Sequence, residues 1–125
     1  NRSDRSRELQ QLTRGMICHF ISYDSDLFKV TAAADVIVST VPADSLQPYV
    51  KQLTHAPLLD VIYDPWPTPL VSQSAANGYK AVGGLTMLAG QAFSQFEQFT
   101  GLEAPRREME QALLEHWDSS EKQRL

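Results

Sequence analysis

A chain of 125 residues and 14.0 kDa is one domain's worth of polypeptide, since domains commonly hold about 100 to 150 residues. Its 42% hydrophobic and 21% charged residues exclude disordered, collagen-like and fibrous classes, and no apolar run approaches the roughly 20 residues that cross a bilayer. The net charge of -4 and pI near 5.2 argue against a general nucleic-acid surface, which carries a basic stripe.

Cys18 is the single cysteine, which excludes an internal disulfide and a cysteine-built zinc site and points to a reducing cytoplasm. His19, His55 and His116 have no ligand-like spacing, so no metal site is expected. The start Asn1-Arg2-Ser3-Asp4-Arg5 has no apolar leader, and the expectation is that the chain begins inside a longer protein.

In chain order, Leu9 and Leu12 among polar neighbours predict a short helix over Ser6 to Leu12, capped by Ser3 or Asp4 and ended by Gly15. Met16 to Ile21 is an apolar run of strand length, and Ser22 to Asp26 reads as the loop after it. Asp35 to Thr40 is rich in β-branched residues and ends before Pro42, which has no N–H for a central ladder. Leu46, Tyr49, Val50 and Leu53 predict a helix over Ser45 to Leu53. Leu58 to Tyr63 is a third strand, followed by Pro65, Pro67 and Pro69 in an extended loop that refuses helix.

Leu70 to Asn77 resumes as a helix, with Gly78 in the left-handed capping position. Tyr79 to Val82 is a short fourth strand. The longest helix, Leu85 to Thr100, places Leu85, Leu88, Ala89, Ala92, Phe93, Phe96 and Phe99 on one apolar stripe, and Gly101 closes it. Pro105 suits a first helical residue, Met109, Ala112, Leu113 and Trp117 form the buried face of a last helix, and 119–125 reads as a solvated tail. Strands alternating with helices imply βαβ units and a parallel sheet.

Four segments resemble shikimate dehydrogenase, an NADP-dependent family. Asn1-Arg2-Ser3-Asp4-Arg5 is similar to its Asn-Arg-Thr/Ser segment after the second Rossmann strand. Ala34 to Pro42 resembles its strand ending in Thr-x-Pro. Asp60-Val61-Ile62-Tyr63-Asp64-Pro65-Trp66-Pro67-Thr68-Pro69-Leu70 resembles its Asp-x-x-Tyr-x-Pro…Thr-Pro-Leu run, and Gly83-Gly84-Leu85-Thr86-Met87-Leu88-Ala89-Gly90-Gln91-Ala92 its last motif. The resemblance implies an α/β fold: a Rossmann-like parallel sheet, incomplete at its N-terminus, with C-terminal helices. Residues 1–84 would be the remainder of the NADP-binding domain, 85–118 helices packing toward a substrate domain, and 119–125 the tail.

The resemblance also implies the sites. Arg2 would clamp the ribose 2′-phosphate of NADP with its forked donors, beside Asn1 and Ser3. Arg5 is a weaker member, because the family often has a basic residue at the place of Ser6. Thr40, Val61, Gly84 and Met87 would meet the nicotinamide half, glycine at 84 allowing close backbone approach. Tyr63 would meet the carboxylate of shikimate or 3-dehydroshikimate, and Gln91 a hydroxyl. The implied reaction is the NADPH-dependent reduction of 3-dehydroshikimate to shikimate, an oxidoreductase step of aromatic amino-acid and chorismate biosynthesis.

The family's catalytic Lys/Asp pair and Ser-x-Ser clamp have no counterpart here, and no Gly-x-Gly-x-x-Gly occurs. The expectation is a C-terminal fragment, inactive alone and with no catalytic residue of its own. Two alternatives stand beside it: an NAD-dependent quinate/shikimate dehydrogenase, kept open by Asp4, and a noncatalytic module presenting its proline-rich loop to an aromatic groove. In the strand order 3-2-1-4-5-6, a chain lacking strands one and two leaves strand three unpaired, so oligomerisation or strand exchange is expected.

Overall fold

The computed structural model describes residues 11–13 and 15–122, with side chains to Trp117. Three short strands form a parallel sheet in the order of the chain: β1 (Ile37–Ser39), β2 (Leu58–Asp60) and β3 (Ala81–Val82). Ile37, Val38 and Ser39 stand opposite Leu58, Leu59 and Asp60, and Leu58 and Leu59 opposite Ala81 and Val82. This is the α/β arrangement with a parallel sheet that alternating strands and helices imply, and it agrees with the Rossmann-like fold that the resemblance implies.

Helix α1 (Leu27–Ala32) precedes β1 and was not foreseen from the periodicity. Asp26 starts it by accepting the Lys29 amide at 3.1 Å, and Thr31 ties it to the next crossover by donating to the Gln52 carbonyl at 2.6 Å. That crossover differs from the expected helix. A 3₁₀ segment covers Ala43–Tyr49, and α-helical geometry begins only at α2 (Val50–Leu53). Pro48 explains the change, because without an N–H it breaks the i→i−4 ladder and favours the tighter turn.

Helix α3 (Pro69–Ala76) joins β2 to β3. Pro69 at its first turn needs no donor, and Gly78 follows it at φ +83°, as a left-handed cap requires. The core lies where both crossovers meet β2: Leu46, Val50, Leu58, Leu70 and Val71 are buried together, with Ile37, Val41, Leu53 and Ala81 against them. Leu58 and Asp60 point into this layer and Leu59 away from it, the alternation of a pleated strand.

The run Met16 to Ile21 forms no strand, and Ile17 is 88% exposed. A strand needs a ladder partner, and the three-stranded sheet places none beside it among the described residues. The expected helix over Ser6 to Leu12 lies mostly outside the described residues, where only Gln11 and Leu12 are helical, and Gly15 has φ +89°.

Two long helices complete the fold, α4 (Gly84–Thr100) and α5 (Arg106–Lys122). Gly101 ends α4 at φ +70°, its N–H returning to the Glu97 carbonyl at 2.9 Å. Glu97 also accepts from Arg106, whose guanidinium lies 5.5 Å from the Phe93 ring centre, so one carboxylate fixes the corner. The apolar stripe of α4 is covered only in part: Ala89 is buried, whereas Leu88 and Phe99 are exposed, because α5 is the one element against most of its length among the described residues. Helix α5 starts one residue after Pro105 and its backbone continues through 119–122, in place of a tail there. Met109, Leu113 and Trp117 are half-buried on it, and Ala112 is exposed.

Candidate functional site

The site is built on the carboxyl ends of β1 and β2, where ligands collect in open α/β sheets. Beyond the regular pairing, the Val61 amide donates to the Ser39 carbonyl at 3.0 Å, so the chain leaves the sheet at a fixed point. The Asp60 side chain is 1% exposed, and both of its oxygens accept hydrogen bonds. Oδ1 takes the Ile62 amide at 3.2 Å, and Oδ2 takes the Thr68 hydroxyl at 2.7 Å. Thr68 caps α3 by accepting the Val71 amide at 3.2 Å.

The loop between these two contacts carries Tyr63 and Trp66, with Asp64–Pro65 and Trp66–Pro67 as cis peptides. Its tip rests on the start of α4. A Cβ added to Gly83 would lie 2.6 Å from Cζ3 of the Trp66 indole. A Cβ added to Gly84 would overlap the Val61 carbonyl oxygen and lie 2.7 Å from its carbon. The glycine pair thus lets a helix start directly on a strand end, which no residue with a side chain permits. The Gly84 amide donates to the Ile62 carbonyl at 3.3 Å, tying the two together.

Tyr63, Trp66, Gly83, Leu85, Thr86 and Leu114 enclose a crevice of about 180 Å³. Trp117 of α5 meets the Tyr63 ring edge-to-face at 5.7 Å, an arrangement aromatic quadrupoles favour. A neighbouring hollow of about 150 Å³ shares Leu85, Thr86 and Leu114 and adds Ala89, Glu110 and Leu113. The first crevice is lined by apolar surface, a phenol, an indole and one threonine hydroxyl, with no lysine, histidine or carboxylate. It can hold a flat, partly apolar ligand and donate hydrogen bonds to it.

Val61 and Gly84 are in contact, Tyr63 stands two residues beyond Val61, and Met87 lies in the first turn of α4, its amide donating to the Gly83 carbonyl at 3.4 Å. Gln91 is exposed one turn further along and is not among the crevice's lining residues. Thr40 lines a separate hollow of about 200 Å³ with Tyr23, Ser39, Val41 and Leu46; there the buried Ser39 hydroxyl has no hydrogen-bond partner. Asn1, Arg2, Ser3 and Arg5 lie outside the described residues. Sequence reasoning did not select Asp60, Thr68, Trp66 or Gly83; the second glycine at 83–84 and a tryptophan between prolines were the available signals. No group of three or more metal-ligating side chains occurs among the described residues.

A parallel sheet with helical crossovers and a glycine-tight helix start at a strand end defines part of a Rossmann-like α/β domain. The family model described as "Shikimate 5'-dehydrogenase C-terminal domain" matches residues 84–114. The chain is similar to the C-terminal part of shikimate dehydrogenases. It superposes on the crystal structure of Mycobacterium tuberculosis shikimate dehydrogenase with a TM-score of 0.82 and 46% identity, over 91% of this chain and 44% of that one. It is 47% identical over 60 residues to "Shikimate dehydrogenase (NADP(+))" of Streptococcus mutans, covering 48% of this chain and 21% of the relative. It is also 34% identical over 100 residues to "Quinate repressor protein" of Emericella nidulans, covering 69% of this chain and 11% of the relative. The chain therefore spans less than half the length of these relatives.

Proposed function

We propose that the chain supplies the NADP-holding and part of the substrate-holding surface of an NADP-dependent shikimate dehydrogenase, which reduces 3-dehydroshikimate to shikimate. The observation that carries this is the start of α4 on the Val61 carbonyl beneath Tyr63 and Trp66, since that helix opens the segment matching the dehydrogenase model.

The residues present fit a dinucleotide. Gly83 provides no side-chain cap, so no capping side chain competes for the amides of α4 that follow Gly84, whose own amide is given to Ile62. Val61, Gly84, Met87 and Thr40 are proposed to hold the nicotinamide half, and Arg2 with Asn1, Ser3 and Arg5 the 2′-phosphate. NADPH, when bound, supplies the hydride. The protein's own contribution is position: the Tyr63 phenol donates to the substrate carboxylate, Gln91 bonds a ring hydroxyl, and Trp66 with Leu114 excludes water. With no lysine, histidine or carboxylate lining the crevice among the described residues, the chain alone binds ligands without turning them over. Residues 1–84 are read as the cofactor portion and 85–118 as the helices facing a substrate domain. The same reading places the protein in the cytoplasm and leaves the edge of β1 that carries no strand among the described residues, with Val36 and Val38 exposed, to pair with another copy or with further parts of a dehydrogenase.

The test is titration of the chain with NADP⁺ and NAD⁺, with and without Arg2→Ala. Loss of a charged hydrogen bond to phosphate predicts NADP⁺ binding weaker by about 10- to 100-fold and NAD⁺ binding unchanged. An equal loss for both cofactors overturns the arginine clamp, and normal NADPH oxidation by the isolated chain overturns its inactivity.

The quinate repressor match favours a second reading, a noncatalytic sensor of a hydroxylated ring acid. Binding of that acid with no cofactor binding would select it. The proline-rich loop is less suited to a free extended ligand, because Asp60 holds it at both ends and Trp66 rests on Gly83.

A further inference from the structure

We infer that Asp60, through Thr68, is a positioning residue for ligand binding: it closes the neck of the 61–67 loop and thereby sets the Tyr63 phenol and the Trp66 indole. The inference deepens the reading of Tyr63 as a substrate contact and rests on it.

Asp60 is held by the sheet, opposite Ser39 in the register. From that fixed point one carboxylate reaches both ends of the loop, Ile62 at its beginning and Thr68 at its end. Asp60 is 1% exposed and Thr68 is fully buried, so water does not compete for either contact. Thr68 uses its hydroxyl twice, donating to Asp60 and accepting from Val71, which couples the neck to the start of α3. With the neck closed, the loop projects Tyr63 into the crevice and lays Trp66 over Gly83. Both groups bonded to Asp60 are donors, which makes a carboxylate specific at this place. An asparagine has one acceptor oxygen, and its amide N–H groups would face either the Ile62 N–H or a hydroxyl already accepting from Val71. A strand residue retained only for burial would not need two acceptors.

The experiment has two readouts. The first needs no ligand: the Gly83 α-protons lie against the Trp66 indole, so its ring current shifts their NMR resonances whenever the loop is seated. The second is the pair of dissociation constants for shikimate and NADP⁺. In Asp60→Asn and Thr68→Val, the Gly83 shift should collapse, and shikimate binding should weaken by about tenfold as the phenol's bond to a charged group is lost. NADP⁺ binding, which within this loop rests only on Val61, itself held by the Ser39 carbonyl, should stay within about twofold. Thr68→Ser keeps the hydroxyl and should restore both readouts. Asp60→Asn leaves the Thr68 cap for Val71 intact, so it serves if Thr68→Val does not fold.

Folded variants that retain the Gly83 shift and the shikimate affinity overturn the inference. So does loss of the shift with shikimate affinity unchanged, which would make the clamp structural only. Failure of the unaltered chain to bind shikimate overturns the Tyr63 reading; a Gly83 shift that persists in the variants then overturns the role of Asp60 and Thr68 as well, and one that collapses keeps them as the pair that seats the loop.

Discussion

Alanine at Gly84 tests the contact on which the site is built. Its Cβ would overlap the Val61 carbonyl oxygen and come within 3.2 Å of the Ile62 carbonyl carbon as well. Both obstacles are main chain, and Val61 is tied to the sheet through Ser39, so no rotamer change relieves the overlap. Overpacking costs about 1 to 3 kcal/mol where side chains can adjust, and we expect the top of that range here, about 3 kcal/mol. This lowers the folded-to-unfolded ratio by roughly 100-fold, a large part of an ordinary domain's stability. Gly90 supplies the control on the same helix, since a Cβ there meets nothing within 4 Å. Gly90→Ala should stabilise by about 1 kcal/mol through helix propensity. The same chemical change thus has opposite signs six residues apart, measurable as urea midpoints by far-ultraviolet circular dichroism. A Gly84→Ala midpoint at or above the unaltered chain's would refute the reasoning.

Gly83→Ala meets a side chain instead of backbone, so it should cost about 1 to 2 kcal/mol and be partly rescued by Trp66→Leu, with a coupling of at least about 1 kcal/mol; additive losses in a double-mutant cycle would show that indole and glycine do not touch. Leu58, 2% exposed on the central strand, should cost about 3 kcal/mol when replaced by alanine, and a loss under about 1 kcal/mol in the same urea assay would show that the core is not centred on β2.

The fold was legible where the signal is local. The β-branched run ending before Pro42, the proline and glycine flanking α3, and the glycine after α4 each specify a boundary through backbone chemistry alone, and each boundary lies within a few residues of its expected place. The failures have a shared cause. Met16 to Ile21 has strand composition, but composition does not supply a ladder partner. Ser45 to Leu53 has helical spacing, but Pro48 removes a donor that spacing ignores. The exposed Phe99 belongs to a real amphipathic stripe with too little described surface to cover it.

The site divides along the same line. Tyr63, Val61 and Gly84 could be selected because their motifs are contiguous in sequence, and the sheet then brings the two motifs into contact. Asp60 could be quoted within a motif but not given a task, because its partners Ile62 and Thr68 become neighbours of one carboxylate only after the intervening loop has folded back. Gly83 had no separate meaning until Trp66 was seen above it. The residues proposed to touch a ligand are thus marked by contiguous motifs that a family resemblance can pick out. Residues that place them are marked by a closure distance that no local window contains, so Asp60 and Thr68 emerge as a pair only in three dimensions.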